Sequence, residues 1–180
     1  RNGLIALKLK TDDNLEWVKP STGTSEIMIA TKLGQAIRFR EKDVRAMGRT
    51  AAGVRGMRLK SNDEVIGMDV VDPKNKSLEF LTIGSNGLGK RTLLDEYKVQ
   101  GRGGSGIKTT EITAKTGPLI SARVVDKVDS DEKDLIMMSA KGQVIRLPFK
   151  SINTSGRATQ GVRLMRFKEE NDHVVSVTML

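Results

Sequence analysis

The chain contains no cysteine, which excludes disulfides, thiolate zinc sites and cysteine nucleophiles together. Its single histidine, His173, rules out a histidine metal cluster or a histidine-based catalytic triad. Four Phe, one Trp and one Tyr are too few to build the repeated stacking platforms that single-stranded nucleic acid requires. No apolar run approaches the ~20 residues needed to cross a bilayer. The opening Arg1-Asn2-Gly3-Leu4 has none of the features of a secretory leader. The expectation from these absences is a cytoplasmic protein with no membrane partner and no catalytic or metal residues of its own.

Basic charge and repetition are what the chain does have. Its 180 residues carry 31 Lys+Arg against 22 Asp+Glu, a net charge of +9. Such a balance attracts polyanions and says little about fold. The repetition says more. Gly34 to Leu59 (GQAIRFREKDVRAMGRTAAGVRGMRL) and Gly142 to Phe167 (GQVIRLPFKSINTSGRATQGVRLMRF) are two copies of one pattern, and Gly87 to Ile112 lies between them as a third. Glycines recur as Gly34, Gly87 and Gly142, as Gly48, Gly101 and Gly156, and as Gly53, Gly106 and Gly161. Arg38, Arg91 and Arg146 keep the same register, as do Arg49, Arg102 and Arg157. Gly3 to Leu9 repeats Gly53 to Leu59, and His173 to Leu180 repeats Glu64 to Val71, so the chain reads as part of a longer array.

Within each unit the patterning is that of strands. Ile37 and Phe39 alternate with Arg38 and Arg40, and Ile145 and Leu147 flank Arg146, the period of a half-buried strand. Met57/Leu59, Thr110/Ile112 and Met165/Phe167 predict another strand after the third glycine. Apolar runs at Ile27-Met28-Ile29, Phe80-Leu81 and Leu135 to Met138 predict more deeply buried ones. Arg40 to Met47 has a helical look that its sister segments lack. The prediction is an all-β, propeller-like fold of four-stranded blades, each about 53 residues long. Residues 1–20 are the end of an incomplete blade, and about 21–73, 74–126 and 127–180 are successive blade-sized repeats.

The charge follows the repeat. Gly34–Lys60, Gly87–Lys108 and Gly142–Lys168 hold nineteen basic and four acidic residues, a balance of +15, which leaves −6 for the remainder of a chain at +9. Stacking would align these segments as one positive rim, the footprint expected for a long polyanion lying across successive units. The residues placed on that rim are Arg38, Arg40, Arg45, Arg49, Arg55, Lys90, Arg91, Arg102, Arg146, Lys150, Arg157 and Arg163. With no helix-turn-helix or other base-reading element, the ligand predicted is duplex DNA held by its phosphates. Gly84 to Arg91 nearly spells a nucleotide-binding loop, but Arg91 stands where Ser or Thr belongs and the sister turns lack the pattern. Tyr97 reads as structural, and the methionines as core filling.

Val44 to Gly56 (VRAMGRTAAGVRG), Gly87-Leu88-Gly89-Lys90-Arg91-Thr92 with Glu96-Tyr97, and Gly156 to Arg163 (GRATQGVR) resemble the C-terminal domain of DNA gyrase A. The resemblance covers essentially the whole chain. It implies a β-pinwheel whose blades exchange strands and whose basic outer rim wraps duplex DNA, steering an ATP-driven enzyme toward negative supercoiling. It also implies a nucleoid-associated bacterial setting, in which the partners would be gyrase B and a second copy of gyrase A. ATP, Mg and the cleavage chemistry would belong to other parts of that complex. The family's box, Gln-basic-Arg-Gly-Gly-basic-Gly, has its nearest match in Gln100, Gly101, Arg102, Gly103, Gly104, Ser105 and Gly106, where Gly101 and Ser105 replace basic residues. This reads as the degenerate box of an internal blade, with the intact box expected upstream of Arg1. The alternatives are the equivalent domain of topoisomerase IV, a protein-interaction propeller, and a double-stranded RNA binder.

Overall fold

A computed structural model describes residues 3–180. Among them twelve strands run in chain order: β1 (Glu26–Thr31), β2 (Gln35–Arg40), β3 (Val65–Val71), β4 (Leu78–Gly84), β5 (Leu88–Leu93), β6 (Val99–Gln100), β7 (Ile107–Lys108), β8 (Leu119–Asp126), β9 (Asp134–Ser139), β10 (Val144–Pro148), β11 (Val162–Arg163) and β12 (Val174–Met179). Three tight β-hairpins, β1–β2, β4–β5 and β9–β10, each belong to one of three sheets. Their turns hold Gly34, Gly87 and Gly142 at φ of 78°, 78° and 82°, a conformation other residues adopt only under strain. Gly84 to Arg91 is one of these hairpins, with no helix to receive a nucleotide phosphate. Each hairpin strand β2, β5 and β10 is followed by one 3-10 turn, at Glu41–Asp43, Leu94–Glu96 and Phe149–Ser151. That turn is all the helix found between Arg40 and Met47.

The first sheet has the order β3-β1-β2-β6, with β7 also on β2, and the second has the order β8-β4-β5-β11. The third is β12-β9-β10. The first two sheets therefore each draw strands from two repeats. β6 and β7 come from the second repeat but pair with β2 of the first, at Arg38↔Val99 and Ala36↔Ile107. In the same way β11 from the third repeat pairs with β5, at Val162↔Gly89. The fold is a strand-exchanged β-pinwheel, and the four strands of a blade are not contiguous in sequence.

The strand predicted over Met57–Leu59, Thr110–Ile112 and Met165–Phe167 does not form; the regular pairing lies just before it, in β7 and β11. Beyond those short strands the chain crosses the neighbouring hairpin turn, and its amides serve single carbonyls. Leu164 and Met165 both donate to Gly87 O, and Thr109 and Thr110 to Gly34 O. Met57 and Met165 are nevertheless buried and fill the core.

Sheets stack face to face. Met28, Ala30, Ala36 and Val71 of the first meet Phe80, Tyr97 and Ala122 of the second. Leu81, Ile83 and Val125 then meet Leu135, Met137, Phe149 and Val174. Phe80 and Leu81 are neighbours in β4 whose side chains enter different cores, so the middle sheet is covered on both faces. A strand covered on both sides reads as a continuous apolar run. Of the three central strands β1, β4 and β9, β4 has the longest buried stretch. β8 packs against both β3 and β12, so these three strands are inner, and β7 and β11 lie at the opposite, outer ends of their sheets. No helix among the described residues is long and apolar enough to cross a membrane.

Candidate nucleic-acid interface

The basic residues divide into two populations that the sequence does not separate. Arg38, Lys90 and Arg91, placed on the rim because they fall in the repeated basic segments, are buried, at 8, 1 and 6 % exposure. Their side chains point into the seams between blades and are satisfied there. Arg38 Nε donates to Glu26 Oε2 at 2.6 Å, while Nη1 donates to Leu94 O at 3.0 Å and Tyr97 O at 3.4 Å in the next repeat. Arg91 makes the same latch one blade on. Its Nη1 lies 3.1 Å from both Glu79 Oε2 and Asp131 Oδ1, and its Nε donates to Ile152 O at 2.7 Å. The guanidinium also sits 4.9 Å over the Phe149 ring. Glu26, Glu79 and Asp134 are in register, each twelve residues before its arginine. In the third pair Arg146 Nε donates to Asp134 Oδ2 at 2.6 Å, but with no blade beyond it among the described residues the side chain is 69 % exposed.

Lys90 Nζ donates to Gly156 O (2.7 Å), Arg157 O (2.5 Å) and Thr159 Oγ1 (3.2 Å), pinning the turn of the next repeat. Burial pulls its pKa from 10.5 down to about 8. Tyr97, the structural tyrosine, is buried with its hydroxyl 2.5 Å from Thr109 Oγ1, and burial pushes it up to about 12.

The second population faces solvent. Arg40, Arg45, Arg49, Arg55, Arg146, Lys150 and Arg163 are exposed, while Arg102 and Arg157 are half-buried. Arg55 and Arg163 belong to a column that Lys108 completes, at the steps of 53 and 55 residues set by the glycines, and all three members are exposed. Lys108 and Arg163 lie on the outer strands β7 and β11. Lys108 is absent from the sequence-derived set; stepping from Arg55 by the repeat would have found it. Lys98, exposed one step from Arg45, is missed in the same way. Acidic groups gather at the other end of the sheets: Asp63 and Glu64 precede β3, Asp69 lies on it, and Asp126 ends β8.

The box-like turn is docked rather than free. Arg102 donates from Nε to Asp43 O at 3.0 Å and from Nη1 to Arg55 O at 2.5 Å. Gly103 N donates to Gly56 O at 2.8 Å, and Arg58 N to Gly104 O at 2.9 Å. Arg157 repeats the side-chain bond, with Nη1 donating to Lys108 O at 2.8 Å and the guanidinium 6.0 Å from the Tyr97 ring centre. Gly53, Gly106 and Gly161 have φ of 80°, 72° and 79°, whereas Gly48, Gly101 and Gly156 do not use the left-handed region. Among the described residues no group of three or more His, Asp or Glu is arranged to hold a metal.

Comparison with known proteins gives one consistent result. The family model of the DNA gyrase C-terminal domain, a beta-propeller, matches residues 25–72, 78–126 and 133–180. The A subunit of DNA gyrase from Staphylococcus epidermidis is 43 % identical over 166 residues, covering 92 % of this chain but only 18 % of that protein. A solved gyrase A C-terminal domain aligns with 98 % of the chain and 58 % of its own length, at a TM-score of 0.81 and 25 % identity. The C-terminal domain of a DNA topoisomerase IV aligns with 97 % of the chain and 52 % of its own length, at 0.85 and 26 %.

Proposed function

Since the chain belongs to the DNA gyrase C-terminal domain family, we propose that it binds duplex DNA along the outer ends of its sheets and bends it across successive blades. The observation that carries this reading is the exposed column Arg55, Lys108 and Arg163, repeated once per unit, with Lys108 and Arg163 on the outer strands β7 and β11. A cation repeated at each blade matches a ligand that is charged along its whole length. Arg40, Arg45, Lys98 and Lys150 extend the basic surface on the same repeats. Phosphates alone carry no sequence information, so preference would come from how easily a sequence bends.

The chain spans about a fifth of the length of the gyrase A proteins it resembles. In the whole protein the domain would present wrapped DNA to a cleavage centre elsewhere, directing supercoiling in the cytoplasm together with gyrase B and a second copy of gyrase A. ATP and Mg would be bound by those other parts. The 43 % identity to gyrase A supports this assignment over the topoisomerase IV equivalent.

The test is affinity for random-sequence duplexes of increasing length, titrated with salt. The expected result is affinity that climbs with length, ignores sequence and falls steeply with salt, with a slope of about −0.9 per phosphate neutralised. Replacing Arg55, Lys108 and Arg163 by Gln should reduce that slope by about 0.9 for each phosphate no longer neutralised. A folded protein whose affinity responds to neither length nor salt would sink the proposal.

A further inference from the structure

The DNA reading leaves the Gly-Arg turns unexplained. A guanidinium grips phosphate through one of two paired edges, Nε with an Nη or the two Nη together. Arg102 has already committed Nε to Asp43 O and one N–H of Nη1 to Arg55 O, so its Nε edge is spent and two of its five donors are taken. Arg157 has committed one N–H of Nη1 to Lys108 O and, unlike the exposed Arg163, is half-buried against the Tyr97 ring. The acceptors are the informative part. Arg55 and Lys108 are two members of the exposed rim column, and each is held by its carbonyl from the next repeat. The bond is made twice in the same register, from Arg102 to Arg55 and from Arg157 to Lys108.

We propose that Arg102 and Arg157 are joints between blades, positioning residues that fix the rim cations Arg55 and Lys108 for DNA bending, and that they do not themselves bind phosphate. This rests on the duplex-binding reading. Backbone bonds dock the first turn, through Gly103 N to Gly56 O and Arg58 N to Gly104 O. The second is held from within, by Lys90 on Gly156 O and Arg157 O and by Glu96 Oε2 accepting from Arg157 N at 3.1 Å. Duplex DNA resists bending over about 50 nm, so a bent duplex pushes back on whatever holds it. Blades that could rotate at the seam would still attract DNA but would yield instead of bending it. The joint is therefore needed for curvature and dispensable for attraction.

Two double variants of the full chain separate the roles: Arg102→Gln/Arg157→Gln, which removes charge, and Arg102→Lys/Arg157→Lys, which keeps charge but loses the fork. Affinity and its salt slope are measured on a short duplex, and curvature by energy transfer between the labelled ends of a longer one. Both variants are expected to keep the wild-type salt slope and lose the end-to-end approach. Amide exchange at Gly103 and Arg58 is expected to accelerate in both, reporting the opened joint without DNA. If the Gln variant loses about 0.9 of slope per arginine while the Lys variant bends DNA like wild type, the arginines bind phosphate directly and the proposal fails. Unchanged curvature in both variants also overturns it. A wild-type chain that binds no duplex would instead remove the reading beneath it, while the exchange data would still report on the joint.

Discussion

Arg91 on β5 and Arg163 on β11 occupy paired strands of one sheet. The first is 6 % exposed, latched to Glu79, Asp131 and a carbonyl of the next repeat; the second stands in solvent, with a single bond from Nη1 to Asn86 O at 3.2 Å. The difference comes from position in the stack. β5 is covered on both faces by neighbouring blades, whereas β11 is the last strand of its sheet. The same residue type therefore secures the fold at one place and is available to a ligand at the other, and a basic repeat has to be divided into these two roles before its charge is assigned to function.

The largest effect is expected at the seam. Arg91→Ala should cost about 3–5 kcal/mol, because Glu79, 1 % exposed, would be left as an unpaired buried charge. Chemical denaturation measures it, and the double change Glu79→Leu/Arg91→Met should recover much of the loss. A small effect of Arg91→Ala alone would show the latch to be dispensable.

The glycines locate where the seam ends. Gly161 and Gly53 share nearly the same left-handed φ, 79° and 80°, but a Cβ at Gly161 would meet Gly89 O at 2.4 Å, whereas one at Gly53 meets nothing within 4 Å. Gly53→Ala should cost about 1–2 kcal/mol of backbone strain. Gly161→Ala should cost clearly more, since β5 must move, and equal melting shifts for the two would count against close approach as the reason for the glycine.

Titration separates seam from rim by another route. The folded pKa of Lys90, about 8, lies below its ordinary 10.5, so between these values the unfolded chain holds more protons at this site. Its contribution to stability should therefore rise with pH across that window, and Lys90→Met should flatten the rise in paired unfolding curves. Tyr97 works the other way. Its pKa of about 12 lies above the ordinary 10, so its contribution is lost as pH climbs from 10 to 12. The smallest effect belongs to the rim, where Arg55→Gln, Lys108→Gln and Arg163→Gln should each shift unfolding by no more than about 0.5 kcal/mol while weakening DNA binding.

The repeat and its strands were legible because glycine at the hairpin turns and apolar runs along β1, β4 and β9 are local requirements. The fate of Arg38, Lys90 and Arg91 was not, since a charge that keeps the register of the repeat does not say whether the face it stands on is covered. A signal was present all the same: Glu26, Glu79 and Asp134 keep step with Arg38, Arg91 and Arg146, and a repeated acid–base pair is what a repeated buried latch requires. The exchange of two-residue strands left almost no trace, because pairs as short as Ile107-Lys108 have no period to read.

Strand exchange also sets a timetable for synthesis. β2 waits for β7 and β5 waits for β11, each emerging about 70 residues later, so at about 5–20 residues per second a nascent blade keeps an open edge for several seconds. Through that interval the growing chain is most vulnerable to pairing with a neighbouring nascent chain. Its completion moves along behind the ribosome one blade late, and a pause in translation just after β5 would prolong the exposure of two edges at once.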